Sequence, residues 1–255
     1  MVGGYDTAGN STPTVFVFDG ASWTTGPALP IAVNHPGATA VDATIYAAGG
    51  FAGNGATARA FALDPGAAVW REIAPMHHER GALALVSLDG RLYAVGGRSG
   101  ETQVAPAEVY DPATDRWSDL PDLPHPRNHL AGYVDGGHVC VAGGREPGTS
   151  TRIDCYDPAA GTWTAGPVLP TPTSGALAAR VGNVVLVAGG EPAGEGNLVT
   201  VVQEWSDGQW TTEPMRVGRH GTAYARYRGR LWVCGGATAP GLQATAACTS
   251  FGPSA

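Results

Sequence analysis

A Gly-Gly doublet recurs six times along this chain at a nearly constant interval. The doublets stand at 3–4, 49–50, 96–97, 143–144, 189–190 and 235–236, so the successive spacings are 46, 47, 47, 46 and 46 residues. Five tryptophans follow 19 or 20 residues after the second glycine of a doublet: Trp23, Trp70, Trp117, Trp163 and Trp210. Self-similarity at this period is typical of repeat architectures. The chain is therefore expected to consist of copies of one structural unit.

Each copy has the sequence signals of four short strands. An apolar run such as 81–88 leads through a turn into a second run that ends in the doublet, as in 92–97. A third run closes on an aromatic residue or Leu followed by Asp, and the tryptophan opens a fourth run. Two-residue hairpin turns need positive φ, which favours Gly, Asn and Asp. The predicted turns are Asp89-Gly90, Asp135-Gly136, Gly182-Asn183 and Arg228-Gly229.

The doublet, the aromatic-Asp-Pro triplet (as in 110–112) and the tryptophan, at these offsets, resemble the kelch repeat. The resemblance covers the whole chain, although Val33 and Thr173 stand where other units have Arg and 203–208 departs from the third-strand pattern. It implies an all-β fold, a six-bladed kelch β-propeller of four-stranded antiparallel blades, in which radial repetition protects the sheet edges. We expect a single domain, 1–255, with units at approximately 1–30 (partial), 31–76, 77–124, 125–170, 171–215 and 216–255 (partial).

The predicted strand types do not occur equally often. Third strands occur six times, the last at 247–253, whereas tryptophan strands and first strands occur five times each. We therefore expect that about 30 residues of a six-bladed ring, judged from the repeat period, lie upstream of Met1 and complete it. A five-bladed ring with a redundant half unit is the alternative.

Composition narrows the classes of partner. The formal net charge of −7 disfavours nucleic acid and anionic membranes as partners, and no apolar run approaches the roughly 18 residues of a membrane span. All 15 basic residues are Arg and none is Lys, which we interpret as the coding bias of a GC-rich, bacterial type of genome.

Four cysteines occupy matching positions in two units. Cys140 lies three residues before its doublet and Cys155 one residue before the aromatic that closes the third strand. Cys234 lies one residue before its doublet and Cys248 three residues before the closing aromatic. Because antiparallel neighbours run in opposite directions, both pairs fit the same cross-strand register. We predict the disulfides Cys140–Cys155 and Cys234–Cys248 and hence an extracellular or periplasmic location. Buried free thiols in a cytoplasmic protein are the alternative.

Arginines and histidines concentrate in the loops that enter first strands and leave second strands. Arg80, Arg127 and Arg219 lie sixteen residues before a doublet, and Arg98 and Arg145 directly follow one. Guanidinium groups suit carboxylates, sulfates and phosphates, and the kelch resemblance implies ligand contacts at these positions. The predicted ligand-binding residues are Arg80, Arg127, Arg219, Arg98, Arg145, His35, His129 and His220. The structural alternative is that such side chains tie adjacent blades together by bonding backbone carbonyls.

Enzyme signatures are sparse in this sequence. It lacks the serine-hydrolase elbow, the phosphate-binding loop and the zinc-protease helix motif. The neighbours in 77–79 (His-His-Glu) diverge in extended backbone, so neither a metal site nor a cofactor is predicted. Copper radical oxidases of the kelch family need a Tyr-Cys pair, whereas these cysteines match one another. No catalytic set is assigned, and the candidate acid–base residues are Glu191 and His129.

The function expected from these features is that of a binding or interaction module. Its Arg/His-rich face would bind a small anionic ligand or an acidic segment of a protein partner, with no nucleic acid and no membrane span involved. The alternative function is that of a sugar-acid mutarotase or epimerase of the sialic-acid type, which some six-bladed kelch proteins are. A third alternative is a purely structural module that binds no ligand at this face.

Overall fold

The computed structural model describes residues 1–192, 197–239 and 243–251, and within them the protein is all-β. Two compact units divide the chain, Met1–Asn128 and His129–Ala255. In the described ranges, no helix is long and apolar enough to cross a membrane.

The first unit contains one two-stranded sheet and two four-stranded antiparallel sheets. Its strands are β1 (Phe16–Phe18), β2 (Trp23–Thr25), β3 (Gly37–Val41), β4 (Thr44–Ala48), β5 (Phe51–Ala52), β6 (Gly55–Ala56), β7 (Ala60–Leu63), β8 (Arg71–Ile73), β9 (Ala84–Leu88), β10 (Arg91–Val95), β11 (Arg98–Ser99), β12 (Thr102–Gln103), β13 (Ala107–Asp111) and β14 (Arg116–Leu120). The sheets have the orders β1-β2, β3-β4-β7-β8 and β9-β10-β13-β14, while β5-β6 and β11-β12 are short ribbons beyond the doublets.

The second unit contains two four-stranded sheets and one three-stranded sheet. Its strands are β15 (Ala131–Asp135), β16 (His138–Ala142), β17 (Arg145–Glu146), β18 (Gly148–Thr149), β19 (Ile153–Asp157), β20 (Thr162–Ala165), β21 (Leu177–Val181), β22 (Val184–Ala188), β23 (Val201–Ser206), β24 (Gln209–Pro214), β25 (Ala223–Tyr227), β26 (Arg230–Cys234) and β27 (Cys248–Phe251). The orders are β15-β16-β19-β20, β21-β22-β23-β24 and β25-β26-β27, with β17-β18 as a ribbon.

Five blades of three or four strands are therefore present in the described residues, and the predicted count of six is wrong. The reason lies in the unit of the first doublet, which in the described residues contributes only β1, β2 and isolated bridges such as Val2–Val15 and Tyr5–Ser11. The third strand predicted at 247–253 is observed as β27, and positions 252 and 253 lie outside the described residues.

The hairpin turns follow the sequence prediction with one shift. Asp89-Gly90 and Arg228-Gly229 connect paired strand ends, and all four of these residues have positive φ. In the β15-β16 hairpin, however, Asp135 pairs with His138, so the turn residues are Gly136 and Gly137 and not Asp135-Gly136. Two consecutive glycines accommodate the positive φ at both positions, which leaves Asp135 free to extend the strand.

The tryptophans pack on the aromatic residues that close the third strands. The ring centroids are 5.0 Å apart for Phe18–Trp23, 5.2 Å for Tyr110–Trp117 and Tyr156–Trp163, and 5.3 Å for Trp205–Trp210. Trp205 takes this place in the segment that departs from the repeat pattern. Apolar clusters fill the space between consecutive sheets of a unit, as between β3–β8 and β9–β14. Aromatic pairing and apolar burial thus stabilise each blade.

The doublets join one blade to the next. The second glycine of a doublet donates its N–H to a carbonyl at the entry of the following blade, as Gly50 does to Arg80 O (2.9 Å) and Gly97 to Arg127 O (2.9 Å). The same link runs from Gly144 to Thr173 (2.8 Å) in the second unit. The doublets therefore fix the loops in which the candidate site residues lie.

Both predicted disulfides are confirmed. Cys140 lies opposite Cys155 in the β16-β19 pair, and Cys234 lies opposite Cys248 in the β26-β27 pair. The Cα–Cα distances are 4.0 and 4.2 Å. The cross-strand register inferred from the doublets therefore predicted both cysteine pairs correctly.

Candidate functional site

The three arginines that precede first strands lie inside the protein. Arg80 and Arg127 are 0% exposed and Arg219 is 3% exposed. Arg80 donates to the carbonyl of the following doublet (3.0 Å), Arg127 to the carbonyl of His125 (2.9 Å), and Arg219 to that of Ala247 (2.8 Å). The three guanidinium groups are thus engaged with backbone carbonyls, and a ligand at the surface would not contact them.

Arg80 also forms a buried ion pair that the sequence did not suggest. Its Nη2 lies 2.5 Å from Oε1 of Glu108 on β13, and both side chains are fully buried. The Glu108 carboxylate also accepts the N–H groups of His77 (2.6 Å) and His78 (3.2 Å). Burial lowers the pKa of Arg80, and the neighbouring carboxylate opposes that change. Glu108 holds together the loop that enters its own blade.

The departures from the arginine pattern are accommodated by different partners. Thr173 donates its hydroxyl to the doublet carbonyl of Gly189 (2.6 Å), as Arg80 does in its own blade. Gln203 on β23 bonds the backbone N–H (2.7 Å) and C=O (3.1 Å) of Thr171. Val33 has no polar group and packs in an apolar cluster with Phe61. The residue sixteen positions before the doublet therefore stabilises the fold in every described blade that has it.

A partly exposed polar cluster lies at the doublet end of the second unit. We call its four residues, Arg145, Ser174, Glu191 and His220, the Arg145 cluster. Arg145 and Glu191 directly follow doublets, while Ser174 and His220 enter first strands. Backbone bonds between Ser174 and Glu191 (2.8 and 3.0 Å) bring the two loop types together. The structure thus unites three residues that the sequence singled out, Arg145, Glu191 and His220.

The Arg145 guanidinium is held from two sides. Its Nε donates to Ser174 Oγ (3.0 Å), and its Nη2 forms a hydrogen-bonded ion pair with Glu191 Oε2. The Arg145 side chain is 39% exposed, and within the described ranges its Nη1 has no hydrogen-bond acceptor. Arg145 is therefore oriented by the protein and keeps donors for a further acceptor.

His220 adds an imidazole to the same cluster. Its Nδ1 lies 3.5 Å from Glu191 Oε1, and its Nε2 lies 3.2 Å from the carbonyl of Ala239. Since a carbonyl only accepts hydrogen bonds, Nε2 is the donor of that contact. The imidazole is therefore held between the Glu191 carboxylate and a backbone carbonyl.

Two other predicted residues lie at the doublet end of the first unit. Arg98 stacks on the ring of Phe51, with its Cζ 5.0 Å from the ring centroid, and His35 contacts the same ring at 5.9 Å. In the second unit, the carbonyl of His129 accepts the N–H of Gly175 (2.7 Å), and His129 has a positive φ of 54°.

One group of potential metal ligands occurs among the described residues. The ligand atoms of His77, Glu108 and Asp119 lie within 4.8 Å of one another. His77 Nδ1 is already 2.8 Å from Asp119, and Glu108 is paired with Arg80. A cation there would face the buried guanidinium, so this chemistry does not suit a metal ion.

Sequence reasoning missed Glu108 and Ser174. Glu108 alternates with apolar neighbours in β13, a pattern that predicts a solvent-facing side chain. Its equivalent in β19 is Asp154. This recurrence of an acidic residue at one strand position could have identified Glu108 as structurally important. Ser174 offers no such signal, because small polar residues are ordinary in loops.

Comparison with known proteins agrees with the repeat. The kelch motif matches residues 33–77 and 79–124. No curated protein sequence matches the chain. The fold is similar to that in the structure of YjhT, with a TM-score of 0.81 and 16% identity over 97% of this chain and 92% of that one. The likeness and the doublet-linked antiparallel blades show a β-propeller fold, and residues 33–124 carry kelch motifs.

Proposed function

We propose that this protein is an interaction module that binds a carboxylate, from a small ligand or an acidic segment of a partner protein, at the Arg145 cluster. The observation that carries the proposal is the oriented, partly exposed guanidinium of Arg145 with a donor that no described residue occupies. A guanidinium held in place loses little conformational freedom on binding and offers parallel N–H donors to a carboxylate. Polar groups on loops of a rigid scaffold are well suited to such contacts.

The Glu191 carboxylate balances the charge of Arg145 and competes with an incoming anion. The ligand therefore relies on the Arg145 donors that Glu191 leaves open.

The binding proposal is tested by calorimetric titration with acetate and with a tetraglutamate peptide. We expect Arg145→Gln to weaken the binding of both probes roughly tenfold or more, the usual effect of losing a charge-assisted hydrogen bond. Arg180→Gln is the matched control, because Arg180 is 37% exposed, is paired with Asp135 and lies at the turn end of β21. Equal affinities of wild type and Arg145→Gln would reject the site.

A mutarotase is the second candidate, favoured by the position of Glu191 between a guanidinium and an imidazole. Arg145 would hold the carboxylate of a sugar acid, while Glu191 accepts the anomeric hydroxyl proton and delivers it to the ring oxygen as the ring opens; the reverse transfer closes the ring on either face. Interconversion of sialic acid anomers, followed by NMR, tests this activity. A rate no faster than in buffer excludes it for sialic acid, and a real activity should be lost in Glu191→Gln.

We also infer that the protein folds in an oxidising compartment, either extracellular or periplasmic. The support is the presence of two cross-strand disulfides in the described chain, a feature rare in reducing compartments. Thiol labelling of protein taken directly from cells should therefore find no reactive cysteine.

A further inference from the structure

Four side chains at the doublet end of the first unit form a continuous row. The Tyr5 and His35 ring centroids are 5.6 Å apart, those of His35 and Phe51 are 5.9 Å apart, and Arg98 Cζ lies 5.0 Å from the Phe51 centroid. We call these residues the aromatic row. It belongs to the first unit, whereas the Arg145 cluster belongs to the second.

The protein holds the middle of this row firmly. Asn34 Oδ1 lies 2.6 Å from His35 Nδ1 and fixes one edge of the imidazole. Phe51 packs directly on the backbone of Gly81, where an added Cβ would lie only 2.6 Å from the ring. His35 has a positive φ (50°), as do the equivalent residues Ala82 and His129, so the repeat itself fixes the backbone at this position.

The two ends of the row are accessible and chemically different. Tyr5 is 43% exposed. Arg98 donates through Nη1 to the carbonyl of Gly100 (2.7 Å), and its nearest carboxylate is that of Glu101 at 3.9 Å. In the part of the chain that the structure describes, its Nε and Nη2 have no acceptor. A cation with open donors thus stands next to exposed aromatic surface.

We propose that the aromatic row is a binding site for an aromatic carboxylate. The ring of the ligand packs over His35, between Tyr5 and Phe51, where edge-to-face contacts between aromatic rings are favourable. Its carboxylate accepts hydrogen bonds from the open donors of Arg98, whose stacking on Phe51 limits the freedom lost on binding. This site requires a ring and an acid in one molecule, whereas the Arg145 cluster requires only the acid.

The test compares three probes by calorimetric titration against the full chain. 3-Phenylpropionate carries the ring and the acid, propionate carries only the acid, and 3-phenylpropanol carries only the ring. We expect 3-phenylpropionate to bind at least roughly tenfold more tightly than either partial probe, as expected from one charge-assisted hydrogen bond and one aromatic contact. Equal affinities for 3-phenylpropionate and propionate would overturn the proposal, as would tighter binding of glucuronate, a sugar acid without an aromatic ring.

Variants locate the site on the molecule. Arg98→Gln should weaken the binding of 3-phenylpropionate roughly tenfold, and Tyr5→Ser, at an exposed position, roughly threefold. Arg91→Gln is the control, since Arg91 is an exposed arginine of the same unit that pairs with Asp111 (3.2 Å) at the turn end of its blade. Unchanged affinity in both Arg98→Gln and Tyr5→Ser would place the ligand elsewhere and refute the assignment. The titrations are repeated in an Arg145→Gln background, in which the carboxylate of the probe no longer binds at the Arg145 cluster, and this separates the two sites.

Discussion

Replacement of Glu108 by Gln should destabilise the protein far more than its modest change in shape suggests. Glu108 and Arg80 are both fully buried, with 2.5 Å between their charged groups. Gln fills nearly the same volume, so the loss is electrostatic: the Arg80 charge remains buried without its counter-charge. Breaking a buried ion pair from one side costs about 3–5 kcal/mol.

Urea unfolding followed by tryptophan fluorescence measures this loss. With a slope of about 1–3 kcal/mol per molar urea, the midpoint of Glu108→Gln should fall by roughly 1–5 M. Glu72→Gln is the control, because the Arg59–Glu72 ion pair is similarly close (2.7 Å) but its side chains are 40% and 52% exposed. That variant should lose no more than about 1 kcal/mol. Equal midpoints for the two variants would refute the assignment of a structural role to the buried pair.

A double variant tests the same reasoning from the opposite direction. Arg80→Met combined with Glu108→Leu removes both charges and fills the space with apolar groups, an exchange that is often neutral or stabilising. The preceding repeat supports this expectation, since its matching residues, Val33 and Phe61, lie in one apolar cluster. The double variant should therefore be more stable than Glu108→Gln alone.

Three further predictions concern stability. Trp117→Phe loses a hydrogen bond to a backbone carbonyl (2.8 Å), whereas the buried Trp210 Nε1 has no partner within the described ranges. Trp117→Phe should therefore lower the free energy of unfolding by about 1 kcal/mol more than Trp210→Phe does. Equal losses in urea unfolding would contradict this. Two hydrogen bonds lower the pKa of Asp115. The larger effect comes from a backbone N–H (2.9 Å) and the smaller from a tyrosine hydroxyl (2.7 Å). Its stabilising contribution is present above the ordinary Asp pKa and is lost as the pH falls through the lowered value, so thermal melts of Asp115→Asn should show less acid sensitivity below about pH 4 than wild type. Removal of the Cys234–Cys248 bridge, which closes a loop with a sequence separation of 14, should cost about 3 kcal/mol in the same urea assay, and an unchanged midpoint in a double Ser variant would contradict this.

The repeat made the fold largely predictable from sequence. Doublets and tryptophans recur because each blade needs the same links and the same aromatic pair, so spacing alone indicated strand order and cysteine register. The predicted count of six blades was wrong, since it counted the partial unit at 1–30 as part of a full blade. The turn at Asp135-Gly136 was placed one residue early because both Asp-Gly and Gly-Gly suit a two-residue turn at that point.

The site was less predictable, because spacing does not show which way a side chain points. Arg80 and Arg145 both lie in loops at the doublet end, yet one is buried and the other is partly exposed. The difference depends on partners distant in sequence. Arg80 pairs with Glu108 in the interior, whereas Arg145 bonds Ser174 and Glu191 near the surface. Glu108 lies on a later strand of the blade that Arg80 enters, and Ser174 and Glu191 lie in loops of other repeats, so the repeat spacing does not reveal these partners.

The most direct test of the proposed function is the affinity of tetraglutamate for wild type, for Arg145→Gln and for the control Arg180→Gln. Arg145→Gln should bind roughly tenfold more weakly than wild type or worse, because it lacks the oriented guanidinium, whereas Arg180→Gln should bind as tightly as wild type. Equal affinities of wild type and Arg145→Gln would contradict the proposal that this cluster receives the ligand.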